Sequence, residues 1–160
     1  MFIDDSSVTL LNSKCEFNSA SSDGGVTYLN SGDLSVMKCS FINNSAVNNG
    51  GVLSIVTCVF ALARLLLKND EFHSNKAQNV SGVIQMVTGG ILNISDSIFT
   101  NNSALDGEIL HVLHNSEPIT ISNNTFSQNQ GKRDGGVTYS ENQAFVIKSN
   151  IFSRNKANAS

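Results

Sequence analysis

The chain has 160 residues, enough for one domain with its own core; 40% are apolar and 14% charged, against about 25% charged in an average soluble domain. The formal net charge is −3 and there is no Lys/Arg run, which argues against nucleic acid or an anionic membrane as a partner. Polarity comes instead from 21 Asn and 23 Ser, with one Pro and no Trp, a composition suited to short strands joined by turns rather than to a helix bundle.

In chain order, a strand is expected almost at once, because Asp4-Asp5 follow the first three residues too soon for a secretory leader. Lys14-Cys15-Glu16-Phe17 then echoes Lys38-Cys39-Ser40-Phe41, and Gly24-Gly25-Val26 echoes Gly50-Gly51-Val52. Aligned this way, the first copy is two residues short between Phe17 and Asn18, and Cys15 stacks on Cys39 in the next coil. A disulfide between them is geometrically allowed; with three Cys in all, no disulfide framework is implied. Val52 to Leu67 is the longest apolar stretch, interrupted by Arg64 and too short to span a bilayer. It reads as a strand with a bulging insertion in which a short helix has room.

From residue 41 onward one motif recurs. Phe41-Ile42-Asn43-Asn44, Phe72-His73-Ser74-Asn75, Phe99-Thr100-Asn101-Asn102, Phe126-Ser127-Gln128-Asn129 and Phe152-Ser153-Arg154-Asn155 are all F-x-x-N, at Phe spacings of 31, 27, 27 and 26. A small residue follows two places after each Asn: Ala46, Ala77, Ala104, Gly131 and Ala157. Nine residues after Phe41 and Phe126 stand Gly50-Gly51 and Gly135-Gly136; Ser81-Gly82 and Asp106-Gly107-Glu108 are eroded copies. Before each Phe lies a β-type run, such as Ile91 to Ser95, Ile119 to Ser122 or Phe145 to Lys148.

A fixed period of this length predicts stacking. The expected fold is an all-β, right-handed parallel β-helix of about six coils of roughly 27 residues, a single repeat domain over 1–160. Phe41, Phe72, Phe99, Phe126 and Phe152 form an aromatic column, and Asn44, Asn75, Asn102, Asn129 and Asn155 an amide ladder. Gly24-Gly25, Gly50-Gly51 and Gly135-Gly136 form a tight turn with positive φ. Ends without a polar cap expose strand edges, so the chain reads as a fragment of a longer protein, with neighbouring repeats as partners.

Alternating F-x-x-N and G-G-[AILV] motifs resemble the repeat of the chlamydial polymorphic outer-membrane proteins. The resemblance covers nearly the whole chain. It implies an extracellular or cell-surface β-helix of the passenger type, outer-membrane-associated in a bacterium, used in adhesion to host or surface proteins or carbohydrates.

Chemistry is sparse by comparison. His111 and His114 form H-x-x-H, but on a strand these point oppositely, and no metal site or cofactor is read. Asp23, Asp106, Glu108 and Asp134 lie beside the glycine turn, with Lys132 and Arg133 adjoining; a carbohydrate-active β-helix enzyme would gather such groups on one edge. Asp is favoured in turns anyway, so the expectation is a non-enzyme that presents a binding face. A structural spacer is the remaining alternative. Six N-x-[ST] sequons occur, at Asn43, Asn79, Asn93, Asn101, Asn123 and Asn158; Asn43, Asn79, Asn101 and Asn123 are the candidate glycosylation sites if the chain is secreted by a eukaryote.

Overall fold

The computed structural model describes residues 1–57, 63–87, 90–107, 109–113, 117–133, 135–141 and 143–158. Every strand pairs in parallel with its equivalent in the next coil, giving one ten-stranded and two six-stranded sheets in a β-solenoid. One coil shows the plan. Gly90–Ser95 runs in the large sheet, Ile98–Thr100 in the second and Ser103–Ala104 in the third, and the chain returns to the large sheet at Leu110–Leu113.

Alternation at period two decides which side chains enter the coil. Ser103 is half-buried while Ala104 is buried, and the same holds for Ser45 and Ala46. Ala77 takes the same inward position in the coil between them. Along the large sheet, Leu29, Ile55, Met86 and Val112 stand in register as one buried column. Leu34, Leu65, Leu92 and Ile119 form a second. Phe41, Phe72, Phe99 and Phe126 are fully enclosed, with successive ring centroids 4.8, 4.7 and 4.9 Å apart and the rings stacked nearly parallel. Each such ring contributes about 2–3 kcal/mol through burial and about 1 kcal/mol more through stacking. Phe152 continues the column at 5.1 Å but lies half open to solvent.

The unequal repeat lengths have a specific origin. In the second coil Thr27–Met37 is a single long strand. Its first part pairs with Leu53–Val56 and its second with Ala63–Lys68. Where the long strand spends one residue, Ser31, the third coil spends six, 57–62. Those five extra residues account for the spacing of 31. The stretch Val52 to Leu67 is therefore two strands around an insertion, of which 58–62 lie outside the described residues.

The first coil corrects the Lys-Cys-x-Phe alignment. Cys15 pairs with Phe41, not with Cys39, and Lys14 and Glu16 pair with Ser40 and Ile42. Cys15 thus occupies the Phe column, Asn18 the Asn ladder, and the copy reads C-x-x-N with nothing missing. The Cys15 and Cys39 thiols are both free. They belong to different columns of the coil, two residues out of register, which is why stacking does not bridge them. Phe17 falls where the chain turns with φ of +54°, three-quarters exposed, in a position that Asn43 and Asn101 fill in later coils. Asn tolerates this left-handed conformation better than a bulky ring. Phe17→Asn is therefore expected to stabilise the chain by about 1 kcal/mol in urea unfolding. Were Phe17 a core residue, as the sequence echo suggests, the same change would cost several kcal/mol.

Candidate functional site

The residues most open to a chemical reading sit at the three corners of the coil, and the structure gives most of them backbone work. At the corner after the Phe strand, one residue takes positive φ and the next is the ladder Asn. Asn75 is typical. Its Oδ1 accepts from the backbone N–H and the Nδ2 of Asn44, both at 3.0 Å. Its Nδ2 donates to Phe41 O at 2.9 Å and to Asn102 Oδ1 at 3.0 Å. Asn102 and Asn129 repeat this pattern, and Asn18 begins it. A buried amide with both ends satisfied in this way holds corner to corner without needing charge.

The corner before the Phe strand carries a second ladder. It runs Cys39, Asp70, Ser97, Asn124 and Asn150, with Ser13 in the first coil. Each residue again follows one with positive φ: Asn12, Lys38, Asn69, Asp96, Asn123 and Ser149. Cys39 N donates to Asp70 Oδ1 at 2.8 Å, Asp70 N to Ser97 Oγ at 3.0 Å, and Ser97 N to Asn124 Oδ1 at 2.9 Å. Asn124 N donates to Asn150 Oδ1 at 2.8 Å. The second Asp70 oxygen accepts from Lys68 N at 2.8 Å. Burial raises the Asp70 carboxyl to about 6, and its two backbone donors only partly oppose that.

The glycine corner needs both of its residues, for different reasons. Gly50 has φ of +60°, and a Cβ there would lie 2.2 Å from Leu53 O. A Cβ on Gly51 would lie 2.3 Å from Gly82 O, in the next coil. The first glycine supplies the turn and the second the close approach between coils. Ser81 replaces the first at φ of +53°, where its hydroxyl lies against the carbonyls of Ile84 and Ile109.

The two described carboxylates that flank this corner, Asp23 and Asp106, are occupied. Asp23 Oδ1 accepts from Asn49 N at 3.0 Å and Asn49 Nδ2 at 2.8 Å. Asp106 takes Nε of Arg133 at 2.9 Å and pairs with the same guanidinium through a second nitrogen. Asp23, Asn49, Val80 and Asp106 succeed one another coil by coil. Asp23 and Asp106 are thus three rungs apart, about 14 Å at about 4.8 Å per rung. Paired carboxylates in glycosidases stand about 5–9.5 Å apart. Glu108 and Asp134 lie outside the described residues, as do His114 and Cys58.

His111 is buried, its ring stacked on Tyr139 at 4.9 Å, and its Nδ1 has no hydrogen-bond partner. Burial lowers its pKa, with Asp106 and Glu141 acting against that. His73 is exposed and bonds Thr100 through Nδ1 at 2.8 Å. Burial, and then the neighbouring Cys39, raise the Cys15 thiol, which makes it a weak nucleophile. Among the described residues no three His, Cys, Asp or Glu converge on a metal position, and no helix is long and apolar enough to cross a membrane. Asn43, Asn79, Asn101 and Asn123 are exposed; Asn43, Asn101 and Asn123 occupy positive-φ corners, each followed by a ladder Asn. A corner Asn, a ladder Asn and the Ser or Thr that opens the next strand make N-N-[ST] without any reference to glycans.

The family model described as "Right handed beta helix region" matches residues 1–160. A transmembrane domain-containing protein of Dictyostelium discoideum is 28% identical over 127 residues, covering 78% of this chain and 7% of that protein. The chain thus spans a small part of the length of the curated relative it matches. No solved structure matches it. With stacked parallel coils in the structure and a match over its full length, the chain belongs to the right-handed β-helix family.

Proposed function

We propose that this chain is a non-catalytic β-helical module of a cell-surface or secreted protein that presents one of its side faces for binding. The observation that carries this reading is the use of its recurring polar groups. Asp23, Asp70 and the ladder residues Asn44, Asn75, Asn102, Asn129 and Asn155 hold backbone, and Asp106 is tied to Arg133. Inner columns repeat, whereas outer columns change from coil to coil. One outer column reads Lys14, Ser40, Glu71, Ile98, Thr125, Ile151. Such a scaffold lets its surface vary without cost to its stability. The similar Dictyostelium protein is named for a transmembrane domain, which supports a membrane-tethered setting. The F-x-x-N and G-G-[AILV] series supports an adhesive one, and exposed Asn43, Asn79, Asn101 and Asn123 are available to glycosylation there.

The test is a panel of glycans and surface proteins assayed for both binding and turnover. Binding without product is the expected result. Depolymerisation of a polyuronide that disappears in Asp106→Ala would overturn the non-catalytic reading.

A further inference from the structure

The third sheet carries a groove on its outer face, and the charge of its described lining is one-sided. Its outward column runs Ser45, Lys76, Ser103, Gln130, Lys156 in strand register. Just past the inward small residue, the chain turns outward again at Gln78, Leu105 and Lys132. Between these two rows lies a groove of about 430 Å³ containing Lys76 and Lys132. A second groove of about 340 Å³ shares Gln130 with it and contains Arg154 and Lys156. None of the described residues that line either groove is a carboxylate. Four of the ten basic residues of an acidic chain therefore line one continuous track. All four are exposed, and none forms an ion pair among the described residues. Arg133, next to Lys132, is instead neutralised by Asp106.

We infer that this track binds a linear acidic polysaccharide laid along the solenoid axis. The inference rests on the reading of the chain as a binding module, and it names the face and the ligand. The cations stand in three of the four coils from that of Lys76 to that of Lys156, a span of about 14 Å, with Ser103 on the coil between Lys76 and Lys132. Each rung advances by about the length of one sugar unit, so a linear chain along the axis brings its anionic groups to the cations of these three coils and its hydroxyls to Ser103. Gln78, Gln128, Gln130 and Ser103 between the cations are donors and acceptors suited to hydroxyls. The track has no aromatic side chain. A single-stranded nucleic acid site would use aromatics to stack bases, and duplex binding draws on more phosphate contacts than four cations make. No run of basic residues marks the site in the sequence, because its cations lie in separate repeats and meet only on stacking.

The experiment titrates the intact chain with polygalacturonate, heparin, dextran and an oligothymidylate at two salt concentrations. Two variants with the same change in charge are compared. One carries Lys76→Gln, Lys132→Gln and Lys156→Gln in the track; the other carries Lys14→Gln, Lys38→Gln and Lys148→Gln elsewhere. All six positions are exposed, and circular dichroism checks that both variants fold. We expect salt-sensitive binding to at least one acidic glycan, none to dextran, and at least a tenfold loss of affinity in the track variant alone. The first acidic arm reads carboxylates and the second sulfates. Equal loss in the two variants would overturn the track, and equally tight oligothymidylate binding would overturn the polysaccharide. A surface protein or neutral glycan bound normally by the track variant, with neither acidic glycan bound, would overturn this inference and leave the binding module standing. Polygalacturonate cleavage would overturn the module reading instead.

Discussion

Asn102→Ala is expected to cost about 3–5 kcal/mol of folding stability, an unusually large loss for removing a side-chain amide. The reason lies in what it leaves behind. Asn102 Oδ1 accepts from Asn75 N at 2.9 Å and from Asn75 Nδ2 at 3.0 Å, and its Nδ2 donates to Phe72 O and to Asn129 Oδ1. Both Asn75 and Asn102 are fully buried. Truncation strands a backbone N–H and weakens the bonding of a carbonyl where water does not reach, and a buried unsatisfied group costs about 1–3 kcal/mol. Asn155→Ala supplies the comparison. Asn155 makes the equivalent bonds to Asn129 and Phe126, but it is only partly buried, so water can replace what is lost. Its loss is expected to be about 1 kcal/mol. Urea unfolding of the two variants against the parent measures the gradient. Equal, small losses would show that the ladder follows the fold rather than holding it.

This gradient also explains how much of the molecule was legible. The Phe and Asn columns could be read because each residue touches its own copies. A ring stacks best on a ring, and an amide bonds both ways along a ladder, so identity repeats. The corner before the Phe strand asks only for an acceptor to take a backbone N–H from the coil before. Asp70, Ser97, Asn124 and Asn150 all meet that need. No single letter runs through the column, and the ladder is invisible as a motif. Cys15 deceived for a related reason. It fills a Phe position in the first coil, and the Lys-Cys-x-Phe echo then offered a register two residues out. The acidic turn positions were legible, but their occupation by Asn49 and Arg133 was not, since those partners come from the next coil.

The unread ladder sets the second large effect, at Asp70. It is the one carboxylate in that column, buried, with its pKa pushed up to about 6 by burial. Between about pH 4 and 6 the folded chain therefore keeps a proton that the unfolded chain has released. The stability this supplies is complete below about pH 4 and is lost as pH rises through 6. A shift of about 2 units at about 1.4 kcal/mol each makes the swing about 3 kcal/mol. Asp70→Asn removes the titration while keeping an acceptor for Cys39 N. The neighbouring coils show that the amide fits, since Asn124 Oδ1 accepts from Ser97 N and its Nδ2 donates to Ile94 O. Lys68 N loses one acceptor, at a cost of about 1 kcal/mol, so the variant starts level with or below the parent at pH 4. It should overtake the parent as pH rises, the difference between them moving by about 3 kcal/mol by pH 8. Unfolding curves at both pH values read this difference directly, with every other titrating group cancelling. A difference that stays constant from pH 4 to 8 would mean that Asp70 keeps an ordinary pKa. Its two backbone N–H donors would then be offsetting its burial in full.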